Sequence, residues 1–277
     1  MSALPLFDRL AVVGLGLMGG SVALAARARG LARELRGVDP ALREAAGIPL
    51  VELREAAGWA DGLVLAVPLD ALDSVVRTLA ERLSPSALVT DTASVKQPMA
   101  EAARAHLPSP ELCIGAHPMA GGDMSGFAHA REDLFEGAPC ILTLEGHEPA
   151  AAVDRVERFW QGLGTRTVRR TPREHDAITA LLSHAPHVIA FAFAEGLPDA
   201  ETLRLAGPGL RDFLRIARGS PRLWSDILLR NRRQIAENIA QFEKNLGSIL
   251  NALASGDRRE LEVLLARARS AVEKLER

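Results

Sequence analysis

Tyrosine is absent from this sequence, lysine occurs three times (Lys96, Lys244 and Lys274) and cysteine only twice. The missing tyrosine and the bias towards arginine read as compositional drift. Two cysteines, Cys113 and Cys140, exclude a disulfide framework; each sits in an apolar run, which predicts buried free thiols in a reducing compartment. A dominant charge is lacking too: the formal net charge is −2, which argues against a broad nucleic-acid surface. Met1 to Asp8 has neither the basic stretch nor the apolar core of a signal peptide, and no run approaches the length that spans a bilayer. These absences predict a cytoplasmic protein with no membrane or nucleic-acid partner. What is present is globular material. Hydrophobic residues make up 48% and charged residues 25% of 277, which suits one large or two modest domains with a substantial core.

The first half alternates short apolar runs with helical stretches. Leu10–Gly14, Leu35–Val38, Leu63–Val67, Leu88–Asp91, Leu112–Gly115 and Pro139–Thr143 read as buried strands, and Ala/Leu/Arg/Glu-rich segments lie between several of them. That order predicts an α/β fold: a doubly wound, largely parallel, Rossmann-like sheet covered on both faces. After about residue 170 the strand signals stop. Thr171-Pro172-Arg173-Glu174 is a capping-box helix start, and Ser220-Pro221 and Asp257-Arg-Arg-Glu260 are further starts. Ile235, Ile239, Phe242, Leu246 and Ile249 recur at spacings of four and three, one apolar helix stripe. The expected division is a dinucleotide-binding domain over 1–170 and an all-helical substrate and dimerisation domain over 171–277. So long a stripe on a small helical unit needs a cover, and a two-fold homodimer supplies one.

Gly14-Leu-Gly16-Leu-Met-Gly19 follows the first strand and opens a helix ending near Gly30. In that context the glycines imply a dinucleotide site: Gly14 for the tight turn, Gly16 for close approach of a pyrophosphate, Gly19 for helix packing. Leu17, Met18, and Val67-Pro68 at the end of the third strand complete the expected cofactor contacts. Asp39, after the second strand, would bind ribose hydroxyls and repel a 2′-phosphate, favouring NAD over NADP, although Arg43 lies close enough to accommodate a phosphate.

Two polar segments follow later strands at the carboxyl edge, where ligands bind in open α/β sheets. These are Asp91-Thr-Ala-Ser94-Val-Lys96 and Gly115-Ala-His117-Pro-Met-Ala-Gly121. Together with the glycine loop, Asp133-Leu-Phe-Glu-Gly137, His175-Asp176, Ser183-His184-Ala-Pro-His187, Arg211-Asp-Phe-Leu-Arg215-Ile-Ala217 and Trp224-Ser-Asp-Ile227, they resemble the prephenate and arogenate dehydrogenases of tyrosine biosynthesis. The resemblance runs from about residue 10 to 231.

It implies NAD-dependent oxidative decarboxylation of prephenate to 4-hydroxyphenylpyruvate, carbon dioxide and NADH. His117 would then accept the substrate hydroxyl's hydrogen bond or proton, as a neutral imidazole can. Ser94 would position the same hydroxyl. Arg215 would hold a substrate carboxylate in its guanidinium fork, Arg211 would support it or face solvent, and Trp224 would wall the pocket. His184 and His187, on one helix face, would line the cleft, with His175 contributing. No carboxylate motif accompanies that histidine pair, so no metal is expected. No regulatory domain is expected after Arg277.

Three rivals are distinguishable. An arogenate or dual-specificity enzyme differs only in the side-chain group it accepts. A β-hydroxyacid dehydrogenase needs a catalytic lysine in the helical part, where only the late Lys244 and Lys274 occur. A sensor that binds NAD without turnover needs neither Ser94 nor His117.

Overall fold

A computed structural model describes residues 5–121 and 124–274. The strands β1 (Phe7–Val13), β2 (Ala32–Val38), β3 (Gly62–Leu65) and β4 (Leu88–Asp91) form a parallel sheet in the order β2-β1-β3-β4. Helices α1 (Leu17–Ala28), α2 (Leu53–Trp59), α3 (Leu72–Ala80) and α4 (Gln97–His106) make the connections. Because side chains alternate along a strand, β1 feeds two cores. Leu10 and Val12 pack with Val22, Ala26, Phe159 and Trp160, whereas Ala11 and Val13 pack with Leu63, Leu65, Val76, Leu79 and Met99. Both faces are thus covered, which is why these strands read as unbroken apolar runs. The fold is α/β, Rossmann-like in its first half and helical in its second.

The pairing is largely parallel, as expected, but it does not continue as one sheet beyond β4. The strands β5 (Gly115–Pro118), β6 (Pro139–Thr143) and β7 (Arg166–Arg170) form a second sheet. There β5 runs antiparallel to β6, and β6 runs parallel to β7 through the crossover helix α5 (Ala150–Gly162). The two sheets meet where Ile114 N donates to the Val89 carbonyl at 2.9 Å. β7, Arg-Thr-Val-Arg-Arg, gave no strand signal because it is an exposed edge with almost nothing apolar to alternate. The fifth strand also starts later than expected. Pro110–Leu112 is a 3-10 turn, so His117 lies inside β5, opposite Ile141, and not in a loop after it.

From Pro172 on, the described chain is helical. Thr171 caps α6 (Pro172–Thr179) with a complete capping box, as its sequence implies. A π turn (Ala180–His184) joins α6 to α7 (Ala185–Glu195). Then follow α8 (Ala200–Leu203), α9 (Pro208–Leu214), a 3-10 turn (Arg215–Arg218), α10 (Pro221–Arg230), α11 (Arg232–Ser255) and α12 (Arg258–Val272). The side chains of Ser220 and Asp257 cap α10 and α12.

Helix α11 carries the predicted stripe, yet much of it is left uncovered. Ile235 is buried, whereas Phe242, Leu246, Leu250 and Leu253 are 36–57% exposed. A second expectation is also corrected here. The continuous helical run Pro172–Glu195 has the length and composition of a membrane span, with a mean hydropathy of 1.5 over its most apolar window. Three histidines, Asp176 and Pro186 disguise it in the sequence. Within the fold, its buried polar residues His175, Asp176, Thr179 and His184 are all hydrogen-bonded inside the protein.

Candidate active site

A cleft of about 1500 Å³, counted out to its open mouth, lies between the carboxyl ends of the strands and the helical half. One wall holds Gly14, Gly16, Leu17, Met18, Asp39, Val67 and Pro68; Ser94 and His117 continue it, and Ser220, Arg222, Leu223 and Asp226 face them from the helical side. The glycines occupy these positions for separate reasons. Gly14 has φ +85°, and a Cβ there would sit 2.4 Å from the Ala66 carbonyl oxygen; a Cβ on Gly19 would sit 1.8 Å from that of Gly14. These two close the turn and seat α1 against the strand, so Gly19 lies beneath the loop and off the cleft wall. Gly16 has open space where its Cβ would be. Asp39 is held by the backbone, accepting from Leu15 N and Ala41 N at 2.9 Å each.

His117 Nδ1 lies 2.8 Å from Nε2 of His175, whose own Nδ1 lies 2.8 Å from Asp176 Oδ1. Asp176 is anchored in turn: Oδ1 accepts from Lys96 N at 2.8 Å and Oδ2 from Gln97 N at 3.0 Å, at the start of α4. Behind this row is a fully buried ion pair. Lys96 Nζ donates to Asp91 Oδ2 and, at 2.6 Å, to the Ala116 carbonyl, while Asp91 accepts from Ala93 N and Ala116 N at 3.0 Å each. Gly115 permits this, since a Cβ there would meet Thr143 Oγ1 at 2.4 Å. Burial, reinforced by the charges of His175, Lys96 and His184, holds the His117 imidazole well below the usual histidine range. It is therefore neutral at physiological pH and able to accept a proton. No hydrogen bond joins Ser94 to His117; the partner that orients this imidazole is His175.

The helical residues separate into groups. His187 stacks on Trp224 with ring centroids 3.5 Å apart and is tied through Nδ1 to the Ser183 carbonyl at 2.8 Å. Trp224 packs with Leu69, Ala93, Val95 and Ile227, so it clamps the Ser94 loop to α10. Arg215, in the exposed 3-10 turn, depresses the His187 pKa by its charge, after the larger effect of burial. Arg211 is exposed and bonds the Ala206 carbonyl at 3.3 Å, the solvent-facing of its two expected settings. Arg211, Arg215, His187 and Trp224 are not part of the cleft's lining, and nor is His184. His184 is 2% exposed beneath it, accepting from the Asn231 side-chain amide at 3.0 Å, and that amide also donates to the Asp176 carbonyl at 2.8 Å. The spacing of three from His187 does not carry both rings to one surface, because the π turn ends at His184. Among the described residues no cluster of metal-ligating side chains occurs.

Burial lowers the His184 pKa to about 4. The unfolded chain, with histidine near 6.5, takes up the proton first, so this group stabilises the fold above pH 6.5 and loses that contribution as pH falls towards 4. The span amounts to on the order of 3 kcal/mol. Urea unfolding at pH 7.5 and 4.5 should show the loss, and a His184→Gln variant should show less of it. An unchanged pH dependence in the variant would contradict the assignment.

Comparison with known proteins agrees with this geometry. The model of the prephenate dehydrogenase nucleotide-binding domain matches residues 22–169, and that of the prephenate dehydrogenase dimerization domain matches 171–267. The chain belongs to the prephenate dehydrogenase family. Prephenate dehydrogenase of Bacillus subtilis is 32% identical over 92% of this chain and 72% of its own length. Cyclohexadienyl dehydrogenase of Zymomonas mobilis is 30% identical over 91% and 90%. The prephenate dehydrogenase of A. aeolicus, solved with hydroxyphenyl propionate and NAD+, superposes with a TM-score of 0.88 at 27% identity, covering 99% of both chains.

In this prephenate dehydrogenase family member the cofactor loop, Ser94 and His117 share one cleft. That His175 and Asp176 stand behind His117 is not legible in the sequence, although the His175-Asp176 motif is. The Lys96–Asp91 pair was also legible only as a polar segment. Asn231 carried no signal at all, since nothing in its neighbourhood distinguishes it from a helix-end asparagine.

Proposed function

We propose that the protein is an NAD-dependent prephenate dehydrogenase. The observation that carries this reading is His117: a neutral imidazole, held by Nδ1 from behind, on the wall of a cleft that also contains a dinucleotide loop and a backbone-fixed Asp39. The loop suits NAD, because the open space at Gly16 lies at the amino end of α1, where backbone N–H groups favour an anion. Asp39 at the cleft rim favours ribose hydroxyls over a 2′-phosphate. Bound NAD+ supplies the hydride acceptor. His117 takes the proton of the substrate's ring hydroxyl as the hydride leaves the same carbon, and Ser94 orients that hydroxyl. When the ring carboxylate departs as carbon dioxide, its bonding electrons enter the ring and reach the oxygen, which retakes the proton.

Arg215 is assigned to a carboxylate of the dianionic substrate, with His187 and Trp224 shaping that side. Arg215→Ala should raise the KM for prephenate about 10- to 100-fold with a smaller change in kcat, from loss of a hydrogen bond between charged groups. An unchanged KM would remove Arg215 from substrate binding. Residues 1–170 serve as the cofactor domain and 171–277 as the substrate and dimerisation domain. The uncovered stripe on α11 supports a homodimer, and sedimentation at the mass of one chain would contradict it.

The direct experiment is to mix the protein with prephenate and NAD+ and follow absorbance of NADH. No signal with prephenate, or equal rates with NADP+, would overturn the respective claims. The likeness to a cyclohexadienyl dehydrogenase supports a second reading, dual use of arogenate. Rates with the two substrates separate them.

A further inference from the structure

The row His117–His175–Asp176 has a chemical direction. The Asp176 carboxylate accepts from two backbone amides and from His175, so His175 Nδ1 must carry the hydrogen. A neutral His175 then presents a bare Nε2, and the ring nitrogen 2.8 Å away, His117 Nδ1, must donate to it. That leaves His117 Nε2 as the unprotonated nitrogen available to the cleft. The sense of both rings follows from the acceptor-only end of the row.

We propose that His175, backed by Asp176, is a positioning residue that sets the His117 tautomer and holds charge for it during turnover. The inference rests on the dehydrogenase reading above. When the substrate hydroxyl proton bonds to His117 Nε2, the Nδ1 hydrogen of His117 passes to His175 Nε2. The positive charge then resides on His175, against the Asp176 carboxylate, while His117 is neutral again with its hydrogen on Nε2. Return of both protons regenerates the starting tautomers when the product oxygen is reprotonated, so none is gained or lost.

The surroundings favour charge on the second ring. His117 is faced by His175 from α6, by Lys96 at the start of α4 and by His184 from the π turn, and after burial these oppose a charge on it. His175 is faced by Lys96 but also by Asp176 and Asp91, whose carboxylates favour the cation and offset part of the effect of burial. A structural histidine would have no need of this polarity. Lys96 and Gln97 hold Asp176 through backbone amides alone, so the carboxylate is fixed by the fold without being neutralised by a side-chain cation.

The test needs a readout independent of activity and one within it. Nitrogen-15 NMR of the histidine rings in the unliganded protein should show His117 as the Nδ1–H tautomer. In His175→Ala that preference should be lost, and kcat should fall about 100-fold while the KM for prephenate and the Kd for NAD+ change less than about threefold. His175→Gln, whose side-chain oxygen can still accept from His117 Nδ1 but cannot carry a proton, should keep the tautomer and recover about tenfold of kcat. Should the alanine variant not fold, the glutamine variant decides: its tautomer must match the parent while its kcat remains at least about fivefold lower. An Nε2–H tautomer in the unmodified protein overturns the proposal, as does unchanged kcat in both variants or a loss that appears equally in KM and cofactor affinity. A protein that lacks prephenate turnover but shows the predicted tautomers would refute the dehydrogenase reading while leaving the histidine polarity standing.

Discussion

His117→Asn should lower kcat by about 10³-fold, within the span that a positioned general base contributes. Asparagine isolates the base. Its side-chain amide can still donate towards His175 Nε2, so the support behind the ring is disturbed little, but nothing replaces the acceptor nitrogen facing the cleft. The dinucleotide loop follows another strand, with Gly14 and Gly19 locked against each other and against Ala66 just after β3, so the Kd for NAD+ should change less than about threefold. Steady-state rates of NADH formation and calorimetric titration with NAD+ supply the two numbers. Turnover within tenfold of the parent would exclude His117 as the proton acceptor. The parent's pH profile gives a companion check with a fixed sign. Only neutral His117 is active and its folded pKa is depressed, so kcat/KM should stay level as pH falls through 6.5 and drop only at lower pH.

Lys96→Met should produce the largest loss of stability. The lysine and Asp91 are both fully buried, and the ammonium also satisfies the Ala116 carbonyl. Removing the cation strands a carboxylate in the core with only the amides of Ala93 and Ala116 as donors. Breaking a buried pair from one side costs about 3–5 kcal/mol, whereas replacing both partners by apolar groups can be close to neutral. For a chain of this size that corresponds to a fall in Tm on the order of 10 °C. The double variant Lys96→Met/Asp91→Leu should recover part of it, although Asp91 also holds two loop amides. Scanning calorimetry checks both; a Tm within about 2 °C of the parent in the single variant would show that the pair carries no such load.

Both effects originate at the junction of the two sheets, and neither was legible from local sequence. Asp91 and Lys96 read as a polar segment at a strand end, where exposed charge is the ordinary expectation. They are buried because β5 turns back antiparallel to β6 and covers them, bringing in Ala116, which is 25 positions from Asp91 and 20 from Lys96. His175 and His117 are 58 positions apart and meet only because α6 crosses the edge of that sheet. Hydrophobic periodicity reports which face of an element is buried, not which polar groups meet across it.

The same limit explains the misplaced elements. Exposed β7 has no alternation to read, and the fifth strand shifted towards Pro118 because pairing with Thr143 and Ile141 decides its start. His184 and His187 look equivalent at a spacing of three, yet the π turn and Asn231 bury one and leave the other stacked on Trp224.

What the sequence determined by itself is whatever rests on short-range physics. The glycine loop, the capping box at Thr171, the parallel β1–β4 core and the apolar stripe of α11 each follow from φ freedom, hydrogen-bond caps or periodicity within one element. The tertiary structure alone decided the chemistry of the imidazole. The row of acceptors that orients His117, and the burial that keeps it neutral, are assembled from four elements. Hydrogen-bond direction and desolvation are properties of the neighbours in space, and these the chain brings together only on folding.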